Sequence, residues 1–305
     1  MTREFQKALI EALSQPVKAI SPKWFYDADG SALFEEITAL PEYYPTRTEA
    51  ALLRRIAPQL SAEIPADAVL VEFGSGASAK TRILLDAAPQ IATYVPIDIS
   101  APALEAAAAS LDADYPRLKV RPVVGDFTRP LVLPGDINGA PKVGFFPGST
   151  LGNFRPATAR SFLRSVRGML GPTARLILGV DLAKDEGTLV AAYDDAQGVT
   201  AAFNLNLLKR ANREAGADFD LESFDHRAVW NADESRIEMH LVSRRDQTVR
   251  VDGRSFAFAA GETLHTENSY KFTVSGVAAM AEATGWALGR TWISPPPEFA
   301  VLLLR

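Results

Sequence analysis

Between residues 68 and 182 the chain passes through five short apolar segments: AVLVEFGSG, TYVPIDIS, KVRPVVGDF, KVGFFPGST and ARLILGVDL. Each closes around a Gly, Asp or Ser. The intervening stretches, such as SAKTRILLDAA, APALEAAAASL and ATARSFLRSVRGML, carry a helical pattern of apolar residues. Short apolar runs alternating with helices read as βαβ units, and hence as a mostly parallel sheet with helices on both faces. The expected fold class is α/β, a Rossmann-like sheet accompanied by a second, smaller α+β domain.

The flanks have a different texture. Residues 1 to 62 look helical, with a polar turn at 27–30 and a Pro/Tyr segment, LPEYYPTRTEA, that is expected to break regular structure. Residues 186–272 open on a helix-like stretch, GTLVAAYDDAQGVTAAFNLNLLKRANREAG. They continue in alternating, antiparallel-looking strands at SRIEMHLVSRR, QTVRVDG and SFAFAAGE. The terminal WISPPPEFAVLLLR resembles a last sheet strand. The expected division is therefore 63–185 plus 273–305 for the sheet domain, and 1–62 plus 186–272 for a substrate-facing domain.

Composition narrows the chemistry. In 305 residues, 47% hydrophobic and 23% charged, there is room for one large domain or two modest ones. A net charge of −5 provides no basic field for phosphate backbones or anionic lipids, which favours a small-molecule substrate over nucleic acid or membrane. With no cysteine, disulfides, thiolate metal sites and cysteine nucleophiles are excluded. His226, His240 and His265 are too widely spaced for a short metal motif, so no metal is expected. The charged N-terminal stretch lacks a signal-peptide pattern, and no apolar run reaches about 18 residues. The expectation is a cytoplasmic monomer.

The segment EFGSGASA at 72–79 follows a strand-like run and precedes a helix, matching a G-x-G-x-x-G/A nucleotide fingerprint with Ala79 in the last position. Asp98 ends the next run, 24 residues after Gly74, where an acidic residue can accept hydrogen bonds from a ribose; a helix cap is the plainer role. Asp126 and Phe127 end the third run at the corresponding depth. They suit either the flanks of an adenine or a turn beside a core ring. On spacing alone, a nicotinamide dehydrogenase and an S-adenosylmethionine enzyme fit equally.

Longer stretches add a resemblance. KWFYDADGSALFEEITALPEYYPTRTEA, VEFGSGASAKTRILLDA, VGDF, FFPGSTLGNF, GVDLAKD, AYDDAQGVTAAFNLN, WNADESRIEMHL and TENSYKF occur in this order. From residue 23 to the end the chain resembles the histidine Nα-methyltransferases of ergothioneine biosynthesis. That resemblance implies S-adenosylmethionine as cofactor and successive methylation of the α-amine of L-histidine to the betaine hercynine. It implies cofactor contacts from Gly74, Lys80, Asp98, Asp126 and Phe127. It also implies histidine contacts from Tyr43, Gly148, Asn153, Tyr193, Met239, Glu267 and Ser269, with Tyr43, Asn153 and Tyr193 closest to the chemistry. Asn153 and Tyr193 would take the substrate carboxylate, and Glu267 and Ser269 the imidazole. Two departures from the actinobacterial pattern stand out: Asn268, where a small apolar residue is usual, and Tyr270, where a cysteine is usual. Another aromatic amino acid as substrate, or a non-catalytic adenosine-binding module, are the alternatives.

Overall fold

A computed structural model describes residues 2–76 and 79–305; Ala77 and Ser78 of the glycine-rich fingerprint lie outside the described residues. The helices are α1 (Thr2–Leu13), α2 (Ala28–Ala39), α3 (Tyr44–Ser61), α4 (Ala79–Ala87), α5 (Ala101–Asp114), α6 (Pro156–Leu170), α7 (Glu186–Ala191), α8 (Val199–Glu214) and α9 (Val274–Glu282). The strands are β1 (Ala68–Phe73), β2 (Ile91–Asp98), β3 (Lys119–Val120), β4 (Val123–Val124), β5 (Lys142–Phe146), β6 (Arg175–Asp181), β7 (Phe224–Asn231), β8 (Arg236–Ser243), β9 (Gln247–Val251), β10 (Arg254–Phe258), β11 (Thr263–Tyr270), β12 (Leu288–Ile293) and β13 (Phe299–Leu304). The chain splits into two compact units, 1–44 with 184–271 and 45–183 with 272–305.

In the unit 45–183/272–305, one sheet runs β12-β13-β6-β5-β1-β2-β3, with β4 also paired to β2. The pairs among β1, β2, β3, β5 and β6 are parallel, and the C-terminal β13 joins β6 antiparallel. All six residues of β1 are buried, as expected of a strand covered on both faces. One face packs Phe73, Phe146 and Leu178 with Phe162, Leu163 and Val166 of α6; the other packs Leu70, Tyr94 and Phe145 with α3, α4 and α5. Because the chain leaves β1 for β2 on one side and returns to β5 on the other, the strand order reverses at β1. Such a switch point opens a crevice at the carboxyl ends of the strands.

Three local expectations change. The LPEYYPTRTEA segment is irregular only to residue 43: α3 starts at Tyr44, with Pro45 in its first turn, where a missing N–H costs nothing. This helix belongs to the sheet unit rather than to the other domain, since Leu52, Leu53, Ile56 and Leu60 form a buried stripe against the sheet. The KVRPVVGDF run forms two short pieces, β3 and β4, interrupted at Pro122, which has no ladder donor.

The unit 1–44/184–271 contains a three-stranded antiparallel sheet, β11-β8-β7, and the hairpin β9/β10. Its core gathers Phe5 and Leu9 of α1, Phe203, Leu207 and Leu208 of α8, and Ile237, Met239 and Leu241 of β8. The helix-like stretch that opens residues 186–272 forms two helices, α7 and α8. Asp195 accepts hydrogen bonds from the N–H groups of Val199 (3.0 Å) and Thr200 (2.7 Å), starting α8 afresh. The polar turn at 27–30 is likewise a helix start. Asp27 accepts from the Gly30 N–H at 2.7 Å, and a Cβ on Gly30 would lie 1.9 Å from the Phe25 carbonyl oxygen. Among the described residues, no helix is long and apolar enough to cross a membrane.

Candidate functional site

At the carboxyl end of β1 the chain turns on Gly74, whose φ is +76°, and whose hypothetical Cβ would touch the Phe127 ring at 3.4 Å. A side chain there would be strained by the positive φ. Just before this turn, Glu72 is fully buried. It accepts a 2.6 Å hydrogen bond from Thr81 Oγ1 and another from the Tyr94 hydroxyl. Burial pushes its carboxyl up to about 7 despite these bonds.

Asp98 ends β2 half-buried. Its Oδ1 accepts from the Ser100 N–H at 3.0 Å, while Oδ2 lies at the long distance of 3.5 Å from the Gly76 N–H. Asp126 accepts from the Thr128 N–H at 3.0 Å, a turn of the Asx type. Phe127 is half-buried in a cluster of rings, with centroids 5.8 Å from Phe146 and 5.9 Å from Phe162. Lys80 forms an ion pair with Glu49, a residue the sequence reading passed over.

Glu49 connects this unit's loops. Its carboxylate is fully buried, and Oε2 takes both the Lys80 ammonium and, at 2.8 Å, the N–H of Gly148. Gly148 (φ +81°) and Ser149 (φ +55°) turn the chain after β5 into a 3-10 turn, Thr150–Asn153, that ends on the half-buried Asn153. Ser149 Oγ accepts from the Asp181 N–H at 2.9 Å, fixing that turn to β6. Glu49 fits only because β6 carries Gly179 opposite it, where a Cβ would stand 1.9 Å from Oε1. Oε1 itself has no hydrogen-bond partner among the described residues.

In the other unit, Tyr193 and Ser269 bring their hydroxyl oxygens to 2.7 Å, and the buried Lys271 donates to both at 3.0 Å. An ammonium only donates, so both oxygens act as acceptors toward it. One hydroxyl proton lies between the two oxygens, and the other is directed to a further acceptor. His226 holds the backbone here. Its Nε2 donates to the Tyr193 carbonyl at 2.9 Å, its Nδ1 accepts from Asn204 at 2.9 Å, and burial holds its pKa below the usual imidazole range. The Tyr43 ring meets Tyr193 edge-on, with centroids 6.1 Å apart.

Glu267 pairs in register with Met239 across β11/β8 and is 8% exposed. Its carboxylate makes no hydrogen bond among the described residues, and burial raises its pKa to about 7, opposed only by the Lys271 charge. Glu267, Ser269 and Lys271 follow at every second position, the period that keeps side chains on one face of a strand. Tyr43, Tyr193, Met239, Glu267 and Ser269 thus belong to one unit. Gly148 and Asn153 belong to the other, with all five of the cofactor candidates. Lys271 and Glu49 are the residues that sequence reasoning missed; the alternating phase of TENSYKF was the available signal for Lys271.

Comparison with known proteins gives these arrangements a context. The family described as "histidine-specific methyltransferase, SAM-dependent" matches residues 5–305. A histidine N-alpha-methyltransferase of Mycolicibacterium smegmatis is 48% identical, over 95% of this chain and 91% of that protein. One of Mycobacterium tuberculosis is 42% identical over 98% and 94%. An ergothioneine biosynthesis protein 1 of Neurospora crassa is 29% identical over 88% of this chain but only 32% of its own length. A solved S-adenosylmethionine-dependent methyltransferase from Clostridium acetobutylicum matches with a TM-score of 0.50 at 11% identity, covering 89% of this chain and 97% of that one, a likeness of fold alone.

Proposed function

This chain belongs to the histidine-specific, S-adenosylmethionine-dependent methyltransferase family, and from that premise we propose that it methylates the α-amino group of free L-histidine, through to the trimethylated betaine hercynine. The observation that carries the substrate assignment is Glu267: a buried carboxyl without a hydrogen-bond partner among the described residues, beside Ser269 and opposite Met239. A buried acceptor of this kind gains most from a ligand that brings an N–H to it, as an imidazole does. The names of the relatives at 48% and 42% identity point the same way.

The unit 45–183/272–305 is assigned the cofactor, through Gly74, Lys80, Asp98, Asp126 and Phe127. The residues present fit an adenosine: glycine backbone at the switch point, and a half-buried carboxylate at the end of β2 suited to accept from a ribose diol. S-adenosylmethionine, when bound, supplies an electrophilic methyl group and a leaving group that needs no proton. The protein's contribution is then chiefly positioning, an effect able to remove about 7 to 11 kcal/mol from a bimolecular barrier.

The unit 1–44/184–271 is assigned the amino acid. Tyr193, polarised by Lys271, donates its hydrogen to the substrate carboxylate. Tyr43 orients the amine, which must shed its proton before it can attack. Glu267 and Ser269 bind the imidazole nitrogens, and Met239 bounds the substrate. The proposal includes a cytoplasmic location and a monomeric state, tested by fractionation and light scattering.

The deciding experiment incubates the protein with S-adenosylmethionine and each of the twenty amino acids, with mass-spectrometric detection. Mono-, di- and trimethylated histidine should accumulate. Preferential methylation of tryptophan or tyrosine would transfer the assignment to another aromatic amino acid.

A further inference from the structure

The ladder between β8 and β11 contains one extra residue. His265 pairs with His240, yet Glu267 pairs with Met239, the register shifting at Thr266. Without that bulge, residues 265 and 267 would share a face; with it they are sorted to opposite faces. Glu267, Met239 and Ser269 occupy one side. The other side receives His265, His240, Glu238 and, opposite Glu238, Asn268.

On this second side three donor groups converge. His240 Nε2 lies 3.0 Å from Glu238 Oε2, the two imidazole centroids are 4.6 Å apart, and one ligand atom from each of Glu238, His240 and His265 lies within 4.8 Å of the others. Two of the three groups are held by further hydrogen bonds. Glu238 Oε1 is held by Asn231 Nδ2 at 2.9 Å and Arg236 Nε at 2.8 Å, which leaves Oε2 to face the rings. His265 Nε2 faces the Glu267 carbonyl oxygen at 2.9 Å; a carbonyl only accepts, so Nε2 carries the proton and Nδ1 the lone pair. A backbone carbonyl behind one ring nitrogen is the usual support for a metal-binding histidine.

Two further atoms mark the place as incomplete. His240 Nδ1 and Asn268 Oδ1 are buried and have no hydrogen-bond partner among the described residues, although such groups are ordinarily satisfied. We propose that Glu238, His240 and His265 form a binding site for a divalent transition metal of the zinc class, a site completed by water. Two imidazoles and a carboxylate suit borderline cations and not magnesium. Arg236, paired with Glu238, and Arg227, in register with His240, place positive charge nearby. Three protein ligands with such neighbours hold a metal more weakly than a closed four-ligand structural site. A bound ion ties β8 to β11 beside the bulge, behind the strand that carries Glu267.

The test uses the full, untagged chain after dialysis against chelator, titrated with zinc and nickel by calorimetry and with cobalt by visible absorption. We expect one ion per chain, cobalt d–d bands of a nitrogen/oxygen site, and no heat with magnesium. His265→Asn and Glu238→Gln should each weaken binding at least tenfold. His265→Asn leaves the Glu238–Arg236 pair intact and decides the matter alone if Glu238→Gln does not fold. Absence of binding by the wild type, or equal affinity in folded wild type and His265→Asn, overturns the proposal.

Discussion

Glu72 and Glu267 lie in different units, both buried, and burial pushes each carboxyl up to about 7. Their surroundings differ. Glu72, at the end of β1, accepts hydrogen bonds from Thr81 and Tyr94 of its own unit, both on Oε2. Glu267 has a neighbouring cation, Lys271, but no donor in contact. A similar displacement of pKa therefore marks a structural group in one place and a ligand-seeking group in the other. The discriminating quantity is the count of hydrogen bonds made, not the acidity.

Four changes sharpen or break this contrast. The largest effect should come from Glu49, another buried acid of the sheet unit. Lys80→Met leaves Glu49 charged and buried without its ion-pair partner, at an expected cost of about 3 to 5 kcal/mol of stability. Urea denaturation measures it, and a loss below about 1 kcal/mol would mean that Glu49 is not held as an anion.

Glu267→Gln should do the reverse, lowering kcat/KM for histidine by roughly 10- to 100-fold, the worth of a charge-assisted hydrogen bond, while leaving the thermal midpoint unchanged or higher. An unchanged histidine-to-tryptophan ratio of kcat/KM would remove Glu267 from the imidazole contact. Asp98→Ala should weaken S-adenosylhomocysteine binding by about 1.5 to 3 kcal/mol in calorimetry and spare histidine binding. Equal cofactor affinity would leave Asp98 as the cap of its turn.

The smallest effect on turnover belongs to Glu72→Gln, within about threefold of wild type. Its signature is in stability. A carboxyl at 4.5 when unfolded and about 7 when folded contributes stability that is complete at low pH, declines as pH rises above 4.5, and is lost through about 7. The variant should show a flatter stability profile over that window. A wild type that instead gains stability across it would reverse the reading.

Much of the architecture was open to the sequence because each core strand is a local apolar run, and each carboxyl end a local Gly, Asp or Ser. The positions of Gly74 and Asp98 at the ends of β1 and β2 were legible in this way, by spacing along the chain. Glu49 was hidden for the opposite reason: its partners, Lys80, Gly148 and Gly179, come from three distant segments, and its helix begins inside a Pro/Tyr stretch that reads as a break. Lys271 shares strand parity with Glu267 and Ser269, with no bulge between them, but parity alone does not distinguish a lysine that reaches a site from one on a solvated face. The extra residue at Thr266 hid the approach of His240 to His265, 25 positions apart. Phe127 was read as a ring for adenine or for the core, and its packing among Phe73, Phe146 and Phe162 makes it at least the latter.

Gly179 lies in the interior of β6, where glycine weakens a strand. Its missing methyl is a keyhole for Glu49, and Glu49 in turn is the latch that holds the Lys80 helix and the Gly148 turn in one arrangement. A side chain added at 179 would be felt first at the two loops, not in the strand itself. Among relatives, positions 49 and 179 are therefore expected to drift as a couple: where the acid shortens, the strand regains a side chain, and the lysine loses its reason to point inward.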